Sequence, residues 1–448
     1  MALSLIRPRL APQSEDISEG TRQMKLRLWL LLSLLASAIT WLYMSRVLLP
    51  WEYFIDVEHG RLKSQLGDFY PRWVGTRELL LHGRNPYGPE VSHQIQIAFY
   101  GHAINQKYGE PGVDVIDEQR FAYPVYVVFF LAPTVYVDFS LLQTWAPVVF
   151  ALLTAIGVVL WMQILRWRPP RIMIASIVLF VIASPQVAQG LRLRQLGLVV
   201  AFLLALSAWC ITRNRLAVAG VLLAISTVKP QMVLLPLLWF LLWGAGQWPK
   251  RWPLLAGFGI TLTALTAAGE ILLPGWLRFF VEGLIAYRKY LPTTSLLCLA
   301  VGNWIGGALS GIVVIGLLAM AWRNRRADAA SPGFIHTLAA FLISTTLVLP
   351  LLTPFNQVLL LLPVLMIVQG WPAVSRIGRG MFAAVVAWPW ICSLVLLLVH
   401  PRLDSPKRIP LLPSALVLFL TFVVSLLSLI ELLHTSEPQL QPGNLPTL

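Results

Sequence analysis

Ionisable and amide side chains recur in short polar turns between long apolar stretches of this 448-residue chain. A carboxylate, Asp68, follows Gly67 at the start of a predicted helix. Cationic and amide residues occupy three later turns, and these residues are Arg192, Arg194 and Gln195; Lys229; and Asn356 and Gln357. Charged groups at the rim of an apolar segment are energetically costly, which makes them candidates for function.

These residue types suit one kind of chemistry. Arg binds a phosphate by paired hydrogen bonds, and Lys binds it as a point charge. A carboxylate can remove the proton from a sugar hydroxyl while the hydroxyl oxygen attacks an activated carbon, and cations stabilise a phosphate leaving group. Transfer of a sugar from a lipid-phosphate donor needs these groups, with Arg192, Arg194 and Lys229 as the candidate phosphate ligands.

Structural roles remain open for the same residues. Asp68 is also suited to cap the helix that follows it, since Asp is favoured at that position and Pro71 falls in the first turn. Lys229 could extend its charged end to a membrane interface. Arg192 and Arg194 could anchor lipid headgroups. Spacing alone does not decide between these roles and catalysis.

The composition requires a lipid environment. The chain is 57% hydrophobic and only 12% charged, and its mean hydropathy is +0.72, whereas soluble proteins carry about 25% charged residues. The net charge of +14 does not indicate nucleic-acid binding, because no basic stretch is interleaved with aromatic residues in a soluble module. Basic residues of membrane proteins concentrate in cytoplasmic loops and set orientation.

The apolar pattern predicts an all-α, polytopic membrane helical bundle of about twelve transmembrane helices. The predicted segments are 26–49, 139–166, 171–189, 195–212, 215–228, 231–245, 252–273, 296–322, 334–350, 355–369, 380–399 and 411–433. Basic clusters then alternate correctly if 121–137 does not span and 215–245 forms two short helices. The alternative is a spanning 121–137 with 215–245 as one kinked helix.

This topology divides the chain into three parts. Residues 1–25 form a cytoplasmic tail, 26–433 the transmembrane domain, and 434–448 a disordered cytoplasmic tail, with both termini on the cytoplasmic side of a plasma (inner) membrane. The long first loop, 50–120, lies outside and holds half of the acidic residues. Its segment Phe69–His82 has helical spacing and precedes a Gly- and Pro-rich turn, which predicts an interfacial helix.

Several other kinds of site are not indicated. The three cysteines lie far apart in or beside apolar runs, so they predict neither a disulfide framework nor a metal site. The histidines lack metal-ligand spacing, and the chain has no phosphate-binding loop or dinucleotide fingerprint. We expect no metal and no cofactor, the lipid-linked sugar being a substrate.

At these residues the sequence resembles the GT-C superfamily of polyprenyl-phosphate-sugar-dependent glycosyltransferases, and most closely glycosyltransferase family 87, which is α-mannosyltransferase-like. The stretches that carry the resemblance are Gly67-Asp-Phe-Tyr70 with Gly83-Arg-Asn-Pro-Tyr87, Phe121-Ala-Tyr-Pro124, Arg194-Gln-Leu-Gly-Leu198, Ala219-Gly220 with Lys229-Pro-Gln231, and Thr353-Pro-Phe-Asn-Gln357. One departure is Arg194, which stands where the family pattern more often has Gly.

The resemblance implies roles for the candidate residues. The first-loop aspartate of GT-C enzymes acts as the base, and Asp68 matches that motif. The sugar and acceptor pocket would be shaped by the residues Tyr87, Tyr123, Gln195, Asn356 and Gln357. The expected reaction is inverting transfer of a hexose, mannose being the family's usual sugar, from a polyprenyl-phosphate donor to a hydroxyl of a glycolipid or glycan acceptor on the external face.

Two other functions stay open at this point. A secondary transporter or lipid flippase would need charges near the bilayer midplane and internal repeats, whereas the charges here cluster at the rims of the spans. A polymerase or ligase of lipid-linked glycans would usually carry its large external loop late in the chain, whereas here that loop comes first.

Overall fold

The computed structural model describes residues 13–58, 66–104, 119–287, 294–350, 353–371 and 374–399, and within these ranges every regular element is a helix. The α-helices are α1 Gln13–Tyr43, α2 Leu49–Glu58, α3 Phe69–His82, α4 Pro89–Tyr100, α5 Val127–Leu131, α6 Phe139–Ile164, α7 Arg171–Ile182, α8 Pro185–Arg192, α9 Leu196–Thr212, α10 Leu216–Ser226, α11 Pro230–Gly246, α12 Trp248–Leu272, α13 Trp276–Tyr287, α14 Leu296–Val301, α15 Asn303–Asn324, α16 Pro332–Val348, α17 Leu361–Gln369 and α18 Arg376–Val399. The prediction of an all-α helical membrane bundle is confirmed.

The first helical segment is longer than the predicted span 26–49. It begins at Gln13, passes through a π-helical turn at Met44–Leu48 and continues as α2 to Glu58. The π turn ends two residues before Pro50, whose ring and missing N–H group disturb a regular helical ladder. Helix therefore extends into both flanking parts that the sequence assigned to a tail and to the external loop.

Among the residues that the structure describes, five helices are long and apolar enough to cross a membrane by length and composition. A sixth span arises if α7 and α8, bent by 61° at their junction, count as one. Further apolar helices of 10–17 residues, such as α9 and α11, complete the bundle. Each predicted apolar segment up to 380–399 contains a helix, and the last predicted span, 411–433, and the tail 434–448 lie outside the described residues.

Both ambiguous regions have a definite structure. Within 121–137 only the short helix α5 and a 3-10 turn at Ala132–Thr134 form, which is too short to span. The segment 215–245 contains two helices, α10 and α11, that are separated by three residues ending at Lys229. This structure agrees with the first of the two alternatives and places Lys229 in a turn.

Helix α3 lies inside the protein rather than along its surface. Most of its residues are buried, and a Cβ atom at Gly75 would come within 2.3 Å of the Phe121 ring. At its first turn, the Tyr70 ring meets the Phe139 ring edge-on with centroids 4.8 Å apart. The aromatic residues of the first loop therefore pack within the protein, where they fix Asp68 against the start of α6.

Close packing against α12 fixes α10, the helix that precedes the Lys229 turn. A Cβ atom at Gly220 of α10 would come within 2.2 Å of the Leu254 carbonyl oxygen on α12, and one at Gly257 would come within 2.4 Å of the Ala217 carbonyl oxygen. Such backbone contact requires small residues at the interface. These contacts hold the N-terminal half of α10, the helix that leads into the Lys229 turn, against α12.

Candidate active site

Four turns that are distant in sequence meet at one end of the bundle. Asp68 directly precedes α3, Gln195 directly precedes α9, and Lys229 directly precedes α11. The fourth turn carries Asn356 in the 3-10 helix Pro354–Leu360. The N-terminal end of a helix carries partial positive charge, so α9 and α11 both favour an anion at this position.

A continuous chain of hydrogen bonds joins the four turns. The Gln195 amide nitrogen Nε2 donates to Asp68 Oδ2 in a short hydrogen bond. Lys229 Nζ donates to Gln195 Oε1 and to Asn356 Oδ1, each at 3.1 Å. Asn356 Nδ2 in turn donates to Thr353 Oγ1 at 2.5 Å. Four residues that the sequence predicted as site residues, Asp68, Gln195, Lys229 and Asn356, therefore form one cluster.

Backbone contacts hold Asp68 against the turn that carries Gln195. The Asp68 N–H donates to the Leu193 carbonyl oxygen at 2.9 Å. Gly67 has φ +67°, and a Cβ atom there would lie 2.9 Å from the same oxygen. A side chain at position 67 would thus be strained and would also collide. The site therefore requires glycine at position 67. The motif Gly67-Asp-Phe-Tyr70 contains this residue, but the sequence alone gives no sign of its steric role.

The geometry accounts for the departure at Arg194. Its φ is +52°, in the left-handed region that glycine occupies without strain. A family pattern with Gly at this position therefore fits the turn that the backbone makes here. In this chain Arg194 adopts the same conformation, and its Nε donates to the Gln143 carbonyl oxygen at 3.1 Å. Burial lowers the pKa of the Arg194 guanidinium, and the neighbouring charge of Arg192 lowers it further.

Lys229 is a buried cation. It is only 5% exposed, and its Nζ lies 4.9 Å from the centroid of the Phe355 ring. Gly197 leaves room for it, because a Cβ atom there would come within 3.0 Å of Nζ. Burial lowers the pKa of Lys229 to about 7, and the negative charge of Asp68 acts in the opposite direction. Lys229 points into the protein, which excludes the surface-anchor role.

Arg72 is a second buried cation beside Asp68, and the sequence analysis did not select it. It is 8% exposed, its Nη1 donates to the Asp68 carbonyl oxygen at 2.8 Å, and its guanidinium lies 4.6 Å from the centroid of the Tyr123 ring. Burial raises the pKa of Tyr123 to about 12, although the Arg72 charge opposes this shift. The signal in the sequence was its spacing, since i and i+4 share a helix face.

Arg192 is engaged elsewhere in the structure. Both of its terminal nitrogens donate to the carboxylate of Glu52 on α2, one of them at 2.8 Å, so the two side chains form a paired ion bridge. Each partner is about one-fifth to one-quarter exposed, at 20% and 24%. The bridge ties the first helical segment to α8 and neutralises the charge of Arg192.

The remaining predicted pocket residues lie at the edge of the cluster. The Tyr87 hydroxyl donates to the Tyr123 carbonyl oxygen at 2.6 Å, and burial raises its pKa. Gln357 follows Asn356 in the same 3-10 helix, and its buried Nε2 has no hydrogen-bond partner within the described part of the chain. Gln357 thus has a donor available for a bound molecule.

Asp68 does not act as a helix cap through its side chain. It occupies the capping position of α3, yet its carboxylate accepts no hydrogen bond from that helix. The carboxylate points instead toward Gln195. No group of three or more potential metal-binding side chains is present among the residues that the structure describes, and the expectation that no metal is needed stays a prediction.

Comparison with known proteins identifies one family. The model of glycosyltransferase family 87 matches residues 121–350, a little over half of the chain. The match contains the turns of Gln195 and Lys229 and lies between those of Asp68 and Asn356. Searches of curated proteins and of solved structures found no match.

Proposed function

Since the chain belongs to glycosyltransferase family 87, and is therefore a membrane glycosyltransferase, we propose that it transfers a hexose from a polyprenyl-phosphate donor to an acceptor hydroxyl. The single observation that carries this proposal is the cluster of Asp68 with Lys229 and Arg72 at the meeting point of four turns. We place the reaction on the external face of the plasma membrane, with mannose as the sugar and a glycolipid or glycan as the acceptor.

Asp68 is the general base of the proposed reaction. Its carboxylate takes the proton from the acceptor hydroxyl while the hydroxyl oxygen forms a bond to the anomeric carbon of the sugar. The bond from that carbon to the phosphate oxygen breaks, and its electron pair leaves with the polyprenyl phosphate. A single displacement of this kind inverts the anomeric centre. Oδ2 of Asp68 is held by Gln195, and Oδ1 accepts no hydrogen bond in the described structure.

Cations at the cluster support recognition of the donor phosphate. Lys229 provides a charge in a site of low polarity, where an electrostatic interaction is stronger than in water. Arg194 lies next to the Asp68 turn, because a Cβ atom on Gly67 would be 3.2 Å from its Nη1. Arg192 is available to the phosphate when it exchanges its Glu52 partner for the ligand. No cofactor takes part in this mechanism.

The sugar and acceptor are assigned to the neighbouring polar groups. The free amide donor of Gln357 suits a sugar hydroxyl. Tyr87 and Tyr123 are joined by a hydrogen bond and lie beside Arg72, so they form one wall of the proposed pocket. Aromatic side chains commonly provide such surfaces in ligand sites.

The decisive test measures transfer by purified protein in proteoliposomes that contain radiolabelled polyprenyl-phosphate mannose. Asp68→Asn keeps the shape of the side chain and can still accept from Gln195, but it cannot take a proton. General bases contribute roughly 10²–10⁴-fold to rate, so we expect a loss of at least about 10²-fold with little change in stability. Parallel reactions with other polyprenyl-phosphate hexoses and with nucleotide sugars define the donor.

Asp138→Asn is the matched control. Asp138 is an exposed carboxylate just before α6, close to the same end of the bundle, and its replacement should leave the rate unchanged. A folded Asp68→Asn variant that transfers sugar as fast as the wild type would disprove the assigned base. Solute uptake without any need for a lipid-linked donor would instead favour a transporter.

A further inference from the structure

Gln195 has the only side-chain amide that links the carboxylate of Asp68 directly to the ammonium of Lys229 among the contacts of the described residues. Gln195 is only 4% exposed. The donor end of the amide faces Asp68, and the acceptor end faces Lys229. A carboxylate only accepts and an ammonium only donates, so one orientation of this amide satisfies both neighbours.

We infer that Gln195 is a positioning residue, which orients the Asp68 carboxylate and couples it to Lys229, rather than a residue that contacts sugar or acceptor. This inference rests on the proposed function for its catalytic consequence. Its structural part, the orientation of one carboxylate by one amide, can be measured without any substrate.

The turn of Gln195 contacts Asp68 twice, which is what positioning requires. The Leu193 carbonyl oxygen fixes the backbone of Asp68 at 2.9 Å, and the Gln195 amide fixes Oδ2. A backbone contact alone would leave the carboxylate free to rotate about its side-chain bonds. With both contacts, Oδ1 is the oxygen left for the acceptor hydroxyl.

Other charged and titratable groups face the same carboxylate and set the background for any change at position 195. They are Lys229 on the far side of the amide, Arg72 one helical turn along α3, Tyr123 against Arg72, and Arg194 beside Gly67. All three cations stay in place whatever residue stands at 195. Removal of the amide therefore isolates the contribution of its hydrogen bond, while a carboxylate at 195 adds a like charge.

The test uses Gln195→Met and Gln195→Glu in the full-length protein. Methionine fills a similar volume and provides no hydrogen bond, whereas glutamate places a second acceptor against Oδ2. The Asp68 carboxyl is identified in the infrared spectrum by its difference from Asp68→Asn. We expect the pH midpoint of its titration to be higher in both variants than in the wild type. The expected shift is at least one pH unit for glutamate and smaller for methionine, because a like charge acts more strongly than the loss of one hydrogen bond.

The kinetic counterpart is the pH–rate profile of sugar transfer. The pH at which kcat falls on the acid side should be higher in both variants, and the change should be larger for glutamate than for methionine. At neutral pH kcat should be reduced about tenfold or more, and the KM for the donor should be unchanged. Gln186→Glu is the control, because it makes the same exchange in the first turn of α8, where a negative charge is tolerated. This variant should keep the wild-type profile.

Each outcome decides the inference. An Asp68 titration that stays at the wild-type position in both variants overturns it, and so does a variant that loses activity only through KM, which would place Gln195 against the substrate. Because the infrared titration needs no sugar donor, it tests the inference even if the wild type transfers no hexose, and that result would count against the proposed function alone. If one variant does not fold, the other gives the same titration test.

Discussion

Lys229→Met should separate stability from activity, because Lys229 is a costly residue to bury. The residue is 5% exposed, and burial lowers its pKa from 10.5 to about 7. A displacement of roughly 3.5 pH units corresponds to a penalty on the order of 5 kcal/mol for the charged form. The ammonium offsets part of this cost through its hydrogen bonds to Gln195 and Asn356.

The sign of the pH dependence follows from the lowered pKa. Below about pH 7 both the folded and the unfolded chains carry the charge, so the folded state bears the whole penalty. Between about 7 and 10.5 the folded chain is neutral at this position while the unfolded chain still binds the proton. The penalty therefore declines across that window, and the contribution of Lys229 becomes less unfavourable as pH rises.

The expected magnitudes are measurable in detergent by thermal unfolding. Between pH 7.5 and 9.5 the stability of the wild type should gain about 2–3 kcal/mol relative to Lys229→Met. At pH 7 the two proteins should differ little, because Met removes the penalty but leaves two buried acceptors unsatisfied, at about 1–3 kcal/mol each. Sugar transfer by Lys229→Met should be lost at every pH.

The activity profile provides an independent check. If the cationic form of Lys229 is needed to bind the donor, kcat/KM of the wild type, which reports the donor-free protein, should fall as pH rises through about 7. Lys229→Arg, which keeps its charge, should retain activity further into the alkaline range. Lys250→Met is the control, since Lys250 is exposed. If the difference in stability between the wild type and Lys229→Met stayed constant from pH 7.5 to 9.5, burial of Lys229 would not carry the predicted cost.

Two further predictions test the supports of the site. Gly67→Ala should lower stability by about 1–2 kcal/mol and reduce transfer more than tenfold, because the added Cβ meets the Leu193 carbonyl oxygen at 2.9 Å. The control Gly83→Ala, at the same φ of +67° but with open space around it, should cost similar stability and keep activity. Equal activity of the two variants would contradict this prediction. Glu52→Gln should lower the KM for the donor by releasing Arg192 from its ion bridge. Because the pair is largely buried, the variant should also lose about 1–3 kcal/mol of stability. An unchanged KM would remove Arg192 from the donor site.

Local features of the sequence predicted local structure well. Helix α3 has the predicted bounds Phe69–His82, because Gly83 ends it in a left-handed conformation at φ +67°. The turn at Lys229 was predicted from Pro230, which starts α11 and cannot continue the hydrogen-bond ladder of α10. Glycine and proline end or start helices through contacts within a few residues, so their effects can be predicted without knowledge of the fold.

Tertiary contacts set the limits of the sequence analysis. Gln195 lies 127 residues from Asp68, and Asn356 lies 127 residues from Lys229, so neither contact follows from helical spacing. The pairing of Arg192 with Glu52 is equally remote. The i+4 spacing could have predicted that Arg72 lies near Asp68. Its burial, which makes it part of the site, could not be predicted, because burial depends on the packing of Phe121 and Phe139 around α3.

The charges of the cluster are matched to the proposed reaction. Before transfer, the negative charges of Asp68 and of a phosphodiester donor balance the two buried cations, Lys229 and Arg72. After transfer Asp68 is neutral, because it holds the acceptor proton, and the released phosphate monoester carries close to two negative charges. The sum over these groups remains near zero in both states, which matters where an unbalanced buried charge costs several kcal/mol, and the partly exposed Arg194 adds the same positive charge before and after transfer. Arg192 brings its own counter-charge, Glu52, and leaves this balance unchanged. A bound donor also places an anion near Lys229, which raises the pKa of that ammonium and keeps it charged at neutral pH, when the reaction needs it.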